Sequence, residues 1–142
     1  MDKPNIDIIE HKVNSGGSLI SDCSNDWTEA EVFEEIGAIT RQFDILECAD
    51  CARAILRWLH QHGIPGRLLK LKTRYGEDYI LSTRLEKLDI TESITINGKH
   101  YGVEVYERVF DNLSEQGLSR EEWIRDFKCH SGEFTLVEIE RL

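Results

Sequence analysis

Around Gly63-Ile64-Pro65-Gly66 the hydrophobic period of this 142-residue chain changes, and no other feature restricts its fold as much. Upstream the apolar residues recur at helical spacing. Over residues 28–42, Ala30, Val32, Phe33, Ile36 and Ile39 fall on one stripe, with Glu29, Glu31, Glu34 and Glu35 early and Arg41 late, which complements a helix dipole. A second helix is expected over residues 47–62, where Cys48, Cys51 or Ala52, Ile55, Trp58 or Leu59, and His62 stack at intervals of three and four. Gly63 ends it and Ile64-Pro65-Gly66 turns the chain. Beyond the turn, residues 68–73, 79–81, 93–96, 101–106 and 134–139 read as strands. One short helix over residues 119–127 interrupts them, with Ser119 and Glu122 spaced as a capping box. Helices first and strands afterwards predict an α+β fold, the N-terminal helices packed on one face of a mostly antiparallel sheet.

The length allows one hydrophobic core, so residues 28–142 are read as a single domain. Residues 1–27 are a loosely specified lead-in: a short strand pattern at Ile6, Ile8, Ile9 and Val13, then Ser15-Gly16-Gly17-Ser18, then the capping residues Ser24-Asn25-Asp26. The first residues lack the basic-then-apolar profile of a secretory signal, and no apolar run approaches a membrane span, so cytoplasmic synthesis is expected. The four cysteines show no disulfide framework: Cys48 and Cys51 share one helical turn, and Cys23 and Cys129 stand alone. A formal net charge of −10 repels phosphate backbones and anionic membrane surfaces, so neither is an expected partner. Arg67, Lys70, Lys72 and Arg74 form a local basic stretch that suits an acidic partner, although alternating charges on a strand's solvent face are the commoner meaning.

A thiol at a helix start, a histidine at a strand's mouth and a carboxylate on the next strand follow one another in the order a cysteine hydrolase requires. Cys48 lies in the first turn of the second helix, where unsatisfied N–H groups and the dipole favour a thiolate and where its own backbone N–H can serve an oxyanion. Its neighbours Glu47 and Asp50 work against ionisation, so their side chains have to point away or a protonated imidazole has to compensate. Cys51, one turn further in, is the alternative nucleophile, but it has the setting of a small core residue, and plain packing outweighs catalysis for an isolated Cys-x-x-Cys.

Among the five histidines, His60 and His62 mark the polar end of the second helix, and His11 and His130 lie in weakly patterned regions. His100 differs, because it follows the turn signal Asn97-Gly98-Lys99 and leads into the strand expected over residues 101–106. If Tyr106 and Glu107 form a two-residue hairpin turn, Val105 faces Arg108 and Gly102 faces Asp111. His100 then lies diagonally from Asp111 on the same side, about 7–8 Å away between backbones. A three-residue loop would put the two on opposite faces. Asn112 is the alternative orienter of the imidazole and points to the other face in this register. A zinc site from Cys48, Cys51, Cys129 and His130 is disfavoured, since the last two are adjacent and strain to share one tetrahedral ion. No metal and no cofactor is expected.

These motifs in order, Cys48-Ala-Asp-Cys51-Ala, Gly63-Ile-Pro-Gly66, Asn97-Gly-Lys-His100 and Phe110-Asp111-Asn112, followed by Gly117 and Trp123, are familiar. The segment from Phe43 to the C-terminus resembles the papain-fold toxin domains of bacterial polymorphic toxin systems. The resemblance implies a papain-like core with cysteine on a helix and histidine and Asp or Asn on adjacent strands. It also implies a role for Gln42, whose spacing to Cys48 is similar to that of the oxyanion-hole glutamine and nucleophile in papain, and this favours Cys48 over Cys51. A toxin-type effector of this kind acts on a protein or peptide, is met by an immunity-type inhibitor protein, and is delivered to another cell.

The expected function is therefore a cysteine hydrolase acting on an amide through Cys48, His100 and Asp111. The amide is either a peptide bond or a glutamine side chain, which separates a peptidase from a deamidase or transglutaminase. The alternative is a non-catalytic regulatory or binding module that keeps the papain-like fold, motivated by the acidic neighbours of Cys48.

Overall fold

The computed structural model describes residues 27–140. The strand pattern at residues 6–13, the capping residues 24–26 and Cys23 lie outside the described residues. The first helix, α1 (Glu29–Thr40), starts at Thr28, whose hydroxyl accepts from Glu31 N at 3.1 Å while the Glu31 carboxylate accepts from Thr28 N at 3.0 Å. Two otherwise orphaned donors are thus satisfied reciprocally. A tight connection leads to α2 (Cys48–Gln61): Glu47 N donates to Asp44 O at 3.0 Å, and Asp44 N donates back to Glu47 Oε1 at 2.7 Å. Leu46 takes a φ of 83° there, a left-handed conformation that a leucine adopts only under constraint.

The chain then runs through β1 (Arg67–Thr73), β2 (Leu81–Ser82), the one-turn helix α3 (Thr83–Glu86), β3 (Lys99–Val105), β4 (Arg108–Asp111), β5 (Ser114–Leu118), α4 (Arg120–Arg125), β6 (Phe127–Lys128) and β7 (Phe134–Ile139). Five strands form one antiparallel sheet in the order β5-β4-β3-β1-β7, and β2 pairs with β6 separately. This is the α+β architecture that the change of period predicts. Among the described residues, no helix is long and apolar enough to cross a membrane.

Alternation along the strands builds two cores. Leu68, Val103, Val105 and Phe110 face α1 and α2, meeting Val32, Ile36, Cys51, Ala52, Ile55 and Leu59. Leu69, Leu71 and Val109 face the other way, against Ile80, Leu85, Ile94, Trp123 and Phe127. The sheet is therefore covered on both sides, by long helices on one and by short elements and loops on the other. The side chains of His100 and Asp111 belong to the second side, because His100 lies opposite Leu71 and Val109 is two residues before Asp111 on β4.

Several elements differ from expectation. Residues 79–81 and 93–96 are not a pair of strands. Of the first only Leu81 is in a strand, and the second is a loop that bonds to residues 78–80 largely through its own hydroxyls: Ser93 Oγ accepts from Ile80 N at 3.1 Å and Thr95 Oγ1 donates to Asp78 O at 2.8 Å. Serine and threonine satisfied the backbone in place of a ladder. The helix expected over residues 119–127 ends at Arg125, releasing Phe127 to pair with Ser82. Neither α3 nor β5 was expected. The hairpin from β3 to β4 does have the two-residue turn, with Val105 opposite Arg108 and Glu104 opposite Val109. Tyr106 and Glu107 both take positive φ, 50° and 67°. That is the type I′ geometry whose twist suits flanking strands, reached without the usual Asn-Gly.

Candidate active site

The site lies at the end of the sheet where β4 finishes and β3 begins. Gly98 N donates to Asp78 O at 2.9 Å, and its φ of 73° turns the chain into β3, fixing His100 as the second residue of the strand. The two-residue turn then returns the chain so that Asp111 closes β4 on the same side as His100. His100 Nε2 donates to Asp111 Oδ2 at 2.9 Å. The imidazole is fully buried, its ring centroid 5.8 Å from that of Trp123 and 5.0 Å from that of Phe127.

Asp111 is the hub of this arrangement. Trp123 Nε1 donates to Oδ2 at 2.8 Å, Arg84 Nη2 donates to the same oxygen at 2.9 Å, and Arg84 Nη1 and Leu113 N donate to Oδ1 at 3.2 and 3.1 Å. Arg84 also donates through Nε to Asp126 Oδ2 at 2.9 Å and through Nη1 to Ser114 Oγ at 2.8 Å. Burial alone would raise the Asp111 carboxyl, but the charge of Arg84, followed by the hydrogen bond and charge of His100, holds it well below the usual carboxylate range. The carboxylate is ionised, and both oxygens are held by protein donors.

Cys48 is the first residue of α2, and its side chain is nearly enclosed, 7% exposed. Its Sγ lies 4.0 Å from the carbonyl oxygen of Lys99, the residue before His100. Burial pushes the thiol up, yet the hydrogen bond and charge of His100 and the backbone N–H of Tyr101 outweigh this, and the group sits below its ordinary value. The reciprocal effect appears on the ring: burial disfavours the imidazolium, but its hydrogen bonds to Asp111 and Cys48 and the charges of those groups raise it to about 9. With Nε2 committed to Asp111, the other ring nitrogen, Nδ1, is buried and holds no hydrogen bond of ordinary geometry. A lowered sulfur and a raised imidazole are shifts in the direction that favours a thiolate–imidazolium pair.

The structure brings together Cys48, His100 and Asp111. It does not bring the other expected residues to the same point. Cys51 is fully buried in the α1–α2 core, and burial, then the charges of Asp111, Cys48 and Glu47, push its thiol up to about 12. Asn112 makes no hydrogen bond to the imidazole: its Nδ2 donates to Asp44 O at 2.7 Å, tying the end of β4 to the connection that precedes Cys48. Gln42 is exposed, and its Nε2 lies 3.5 Å from Ala38 O, back along α1. Placing it at an oxyanion here requires a different rotamer, and the N–H groups at the start of α2 are the donors the backbone itself supplies. Among the described residues no group of three or more His, Cys, Asp or Glu side chains is arranged to hold a metal ion, and Cys129 bonds instead toward Ser131 and Glu133.

Arg84 and Asp126 escaped the sequence reading altogether. Arg84 sits in an unpatterned Thr-Arg-Leu-Glu stretch, and its partners lie 27 and 42 residues away along the chain. Trp123 had a signal, a tryptophan on a short capped helix, though nothing pointed to its acceptor.

Comparison with known families adds one finding. The family model described as papain fold toxin 2 matches residues 31–128, a span that contains all three converging residues. No curated protein and no solved structure matches the chain.

Proposed function

The chain belongs to the papain fold toxin 2 family, and on that premise we propose that it is a cysteine hydrolase in which Cys48 attacks the carbonyl carbon of an amide. The observation that carries the reading is the state of His100: one ring nitrogen bonded to Asp111 at 2.9 Å, the other buried without a hydrogen bond of ordinary geometry, on a ring whose charge is coupled to the Cys48 sulfur. In this reading the thiolate forms a C–S bond and the carbonyl π pair moves to oxygen, stabilised by N–H groups at the start of α2. As the tetrahedral adduct collapses, the C–N bond breaks and His100 Nδ1 gives its proton to the departing nitrogen. Water, deprotonated by the now neutral imidazole, attacks the thioester and returns the thiol. Asp111 stays ionised throughout and orients the ring.

The bond broken is an amide of a protein or peptide, in the backbone or in a glutamine side chain. As a toxin-type effector the domain acts in a cell to which it is delivered, and an immunity-type inhibitor protein is the partner that restrains it. The rival reading, a non-catalytic module, rests on the near-complete enclosure of Cys48. A passive buried thiol, however, has no use for an imidazole held charged beside it.

The test is site-resolved alkylation. Iodoacetamide at neutral pH should modify Cys48 and spare Cys51, and Cys48→Ala should remove the labelling. Full labelling that persists in Cys48→Ala overturns the assignment.

A further inference from the structure

We propose that Lys70, Lys72 and Lys99 form a docking surface for an acidic polypeptide segment of the substrate, flanking the amide that Cys48 attacks. The inference rests on the hydrolase reading for what the segment is, while the surface itself is read from register and charge. Lys72 is directly opposite Lys99, and Lys70 is opposite Tyr101, so the three lysines and the tyrosine share one face of the sheet. From the edge strand, Val137 lies beside Lys70 and Thr135 beside Lys72. Two rows therefore cross three strands, Tyr101-Lys70-Val137 and Lys99-Lys72-Thr135, with Lys99 exposed and Val137 37% exposed.

This face is the α2 side of the sheet, beyond the part that α2 covers at Leu68 and Val103, and it borders the thiol. The Cys48 sulfur is 4.0 Å from the Lys99 carbonyl, and Tyr101 feels the charges of both Cys48 and Arg53.

Two like charges placed directly opposite across a ladder destabilise the pairing. In a chain with 27 acidic and 17 basic residues, a neutralising carboxylate would be the easiest neighbour to supply. Among the described residues, none of these three ammonium groups has one within 4.0 Å. Nearby acids are committed elsewhere: Asp50 to Arg53, Glu47 to Asp44 N, and Glu138 on the opposite face to Arg67 and Arg120. Unneutralised charge of one sign beside a nucleophile is complementary to an oppositely charged ligand. A short acidic peptide suits it better than a nucleic acid. At physiological salt a peptide on the strip senses charges within about 8 Å, whereas a long polyanion also meets the repulsion of the rest of a chain whose formal net charge is −10.

Two arms of one experiment read this. The first compares alkylation of Cys48 by iodoacetate, which is anionic, with iodoacetamide, which is neutral; the ratio of rates cancels changes in thiolate fraction. In Lys72→Gln/Lys99→Gln, which removes a like-charge pair and so should melt no lower than the parent, the ratio should fall about threefold or more at low ionic strength. The second arm measures binding of a fluorescent hexaglutamate peptide, expected to be lost in the double variant and weakened by salt. An unmoved ratio together with unchanged peptide binding overturns the docking surface while leaving the nucleophile intact. A Cys48 inert to both reagents in the parent overturns the hydrolase reading instead, and the peptide arm still decides the surface. A single-stranded oligonucleotide binding through the same lysines more tightly than the peptide overturns the choice of partner.

Discussion

A Cβ placed on Gly102 would lie 2.8 Å from Cζ2 of Trp123, so it is the bare backbone at this strand position that lets the indole cross β3 and donate to Asp111. The same Cβ would lie 2.8 Å from Val109 Cγ1, leaving no side on which the ring could give way cheaply. Gly102→Ala should therefore act at a distance on the imidazole. Overpacking of this kind costs about 1–3 kcal/mol, read as a lower melting temperature. The displaced indole also loosens Asp111, so the alkylation rate of Cys48 at neutral pH should drop in the folded protein. Trp123→Phe separates the two effects, keeping a ring against His100 but deleting the donor. A Gly102→Ala protein with unchanged stability and an unchanged Cys48 rate would contradict this packing account.

The charge state of the pair sets a pH dependence with a definite sign. His100 is raised from 6.5 to about 9, so the stability its protonated form contributes is complete below pH 6.5 and is lost as pH rises through about 9. Amide turnover, which needs the imidazolium as acid, should fall along the same alkaline limb. Cys48 is lowered by the hydrogen bond and charge of His100 against the effect of burial, so its thiolate fraction at any pH exceeds that of the same buried thiol without the imidazolium. Asp111→Asn keeps an acceptor for Nε2 but removes the charge. In that variant the imidazole should titrate lower and the thiol higher, reducing alkylation at pH 7 by about tenfold per unit of thiol shift. The difference should narrow as pH rises, since the thiol of each protein ionises in turn. A constant difference across the whole range would mean that Asp111 acts only on structure.

What could be read from the chain alone followed the range of the interaction involved. The two long helices were legible because each buries a periodic stripe, and the hairpin register because a two-residue turn has few solutions. With these came the placement of His100 and Asp111 on one side of the sheet, which is local geometry. β5 was not legible: Ser114-Glu-Gln-Gly-Leu118 has no β-branched residue, and it is held by tertiary contacts, Glu115 against Gly37 and in an ion pair with Arg41. Residues 93–96 alternate as a strand does, yet hydroxyl hydrogen bonds claimed the backbone first. The guanidinium on Asp111 left no trace because nothing near Arg84 in the chain constrains where a flexible side chain reaches.

Arg84 offers the largest expected loss of stability. It bridges two buried carboxylates, Asp111 and Asp126, and Asp126 also accepts from Ser82 Oγ at 2.5 Å and Arg84 N at 2.8 Å. Arg84→Met leaves Asp126 without its cation and Asp111 with His100 as its one charged partner among the described residues. Removing one partner of a buried ion pair costs about 3–5 kcal/mol because the remaining charge is uncompensated, and Asp126 is left in that state here. The midpoint of urea unfolding should fall accordingly. Arg84→Lys retains the charge but not the planar fork that spans Asp111 and Asp126, so it should recover only part of the loss. Recovery to the parental midpoint with lysine would mean that charge alone matters and the bidentate geometry does not.

The turn at the far end of the hairpin carries strain unrelated to chemistry, which makes it a control. Glu107 has a φ of 67°, a conformation costing a non-glycine residue about 1–2 kcal/mol, while glycine's extra freedom in the unfolded chain costs about 0.5–1 kcal/mol. Glu107→Gly should thus stabilise by about 0.5 kcal/mol. Tyr106, at a φ of 50°, would gain in the same way, but its ring lies 6.0 Å from that of Phe33 in an edge-on contact worth about 0.5–1.5 kcal/mol, so Tyr106→Gly should be neutral or destabilising. Val105 is five residue steps along the strand from His100, about 17 Å at ordinary strand rise, so neither variant should alter the Cys48 alkylation rate. A change in that rate with Glu107→Gly would show that the turn sets the register on which the His100–Asp111 bond depends.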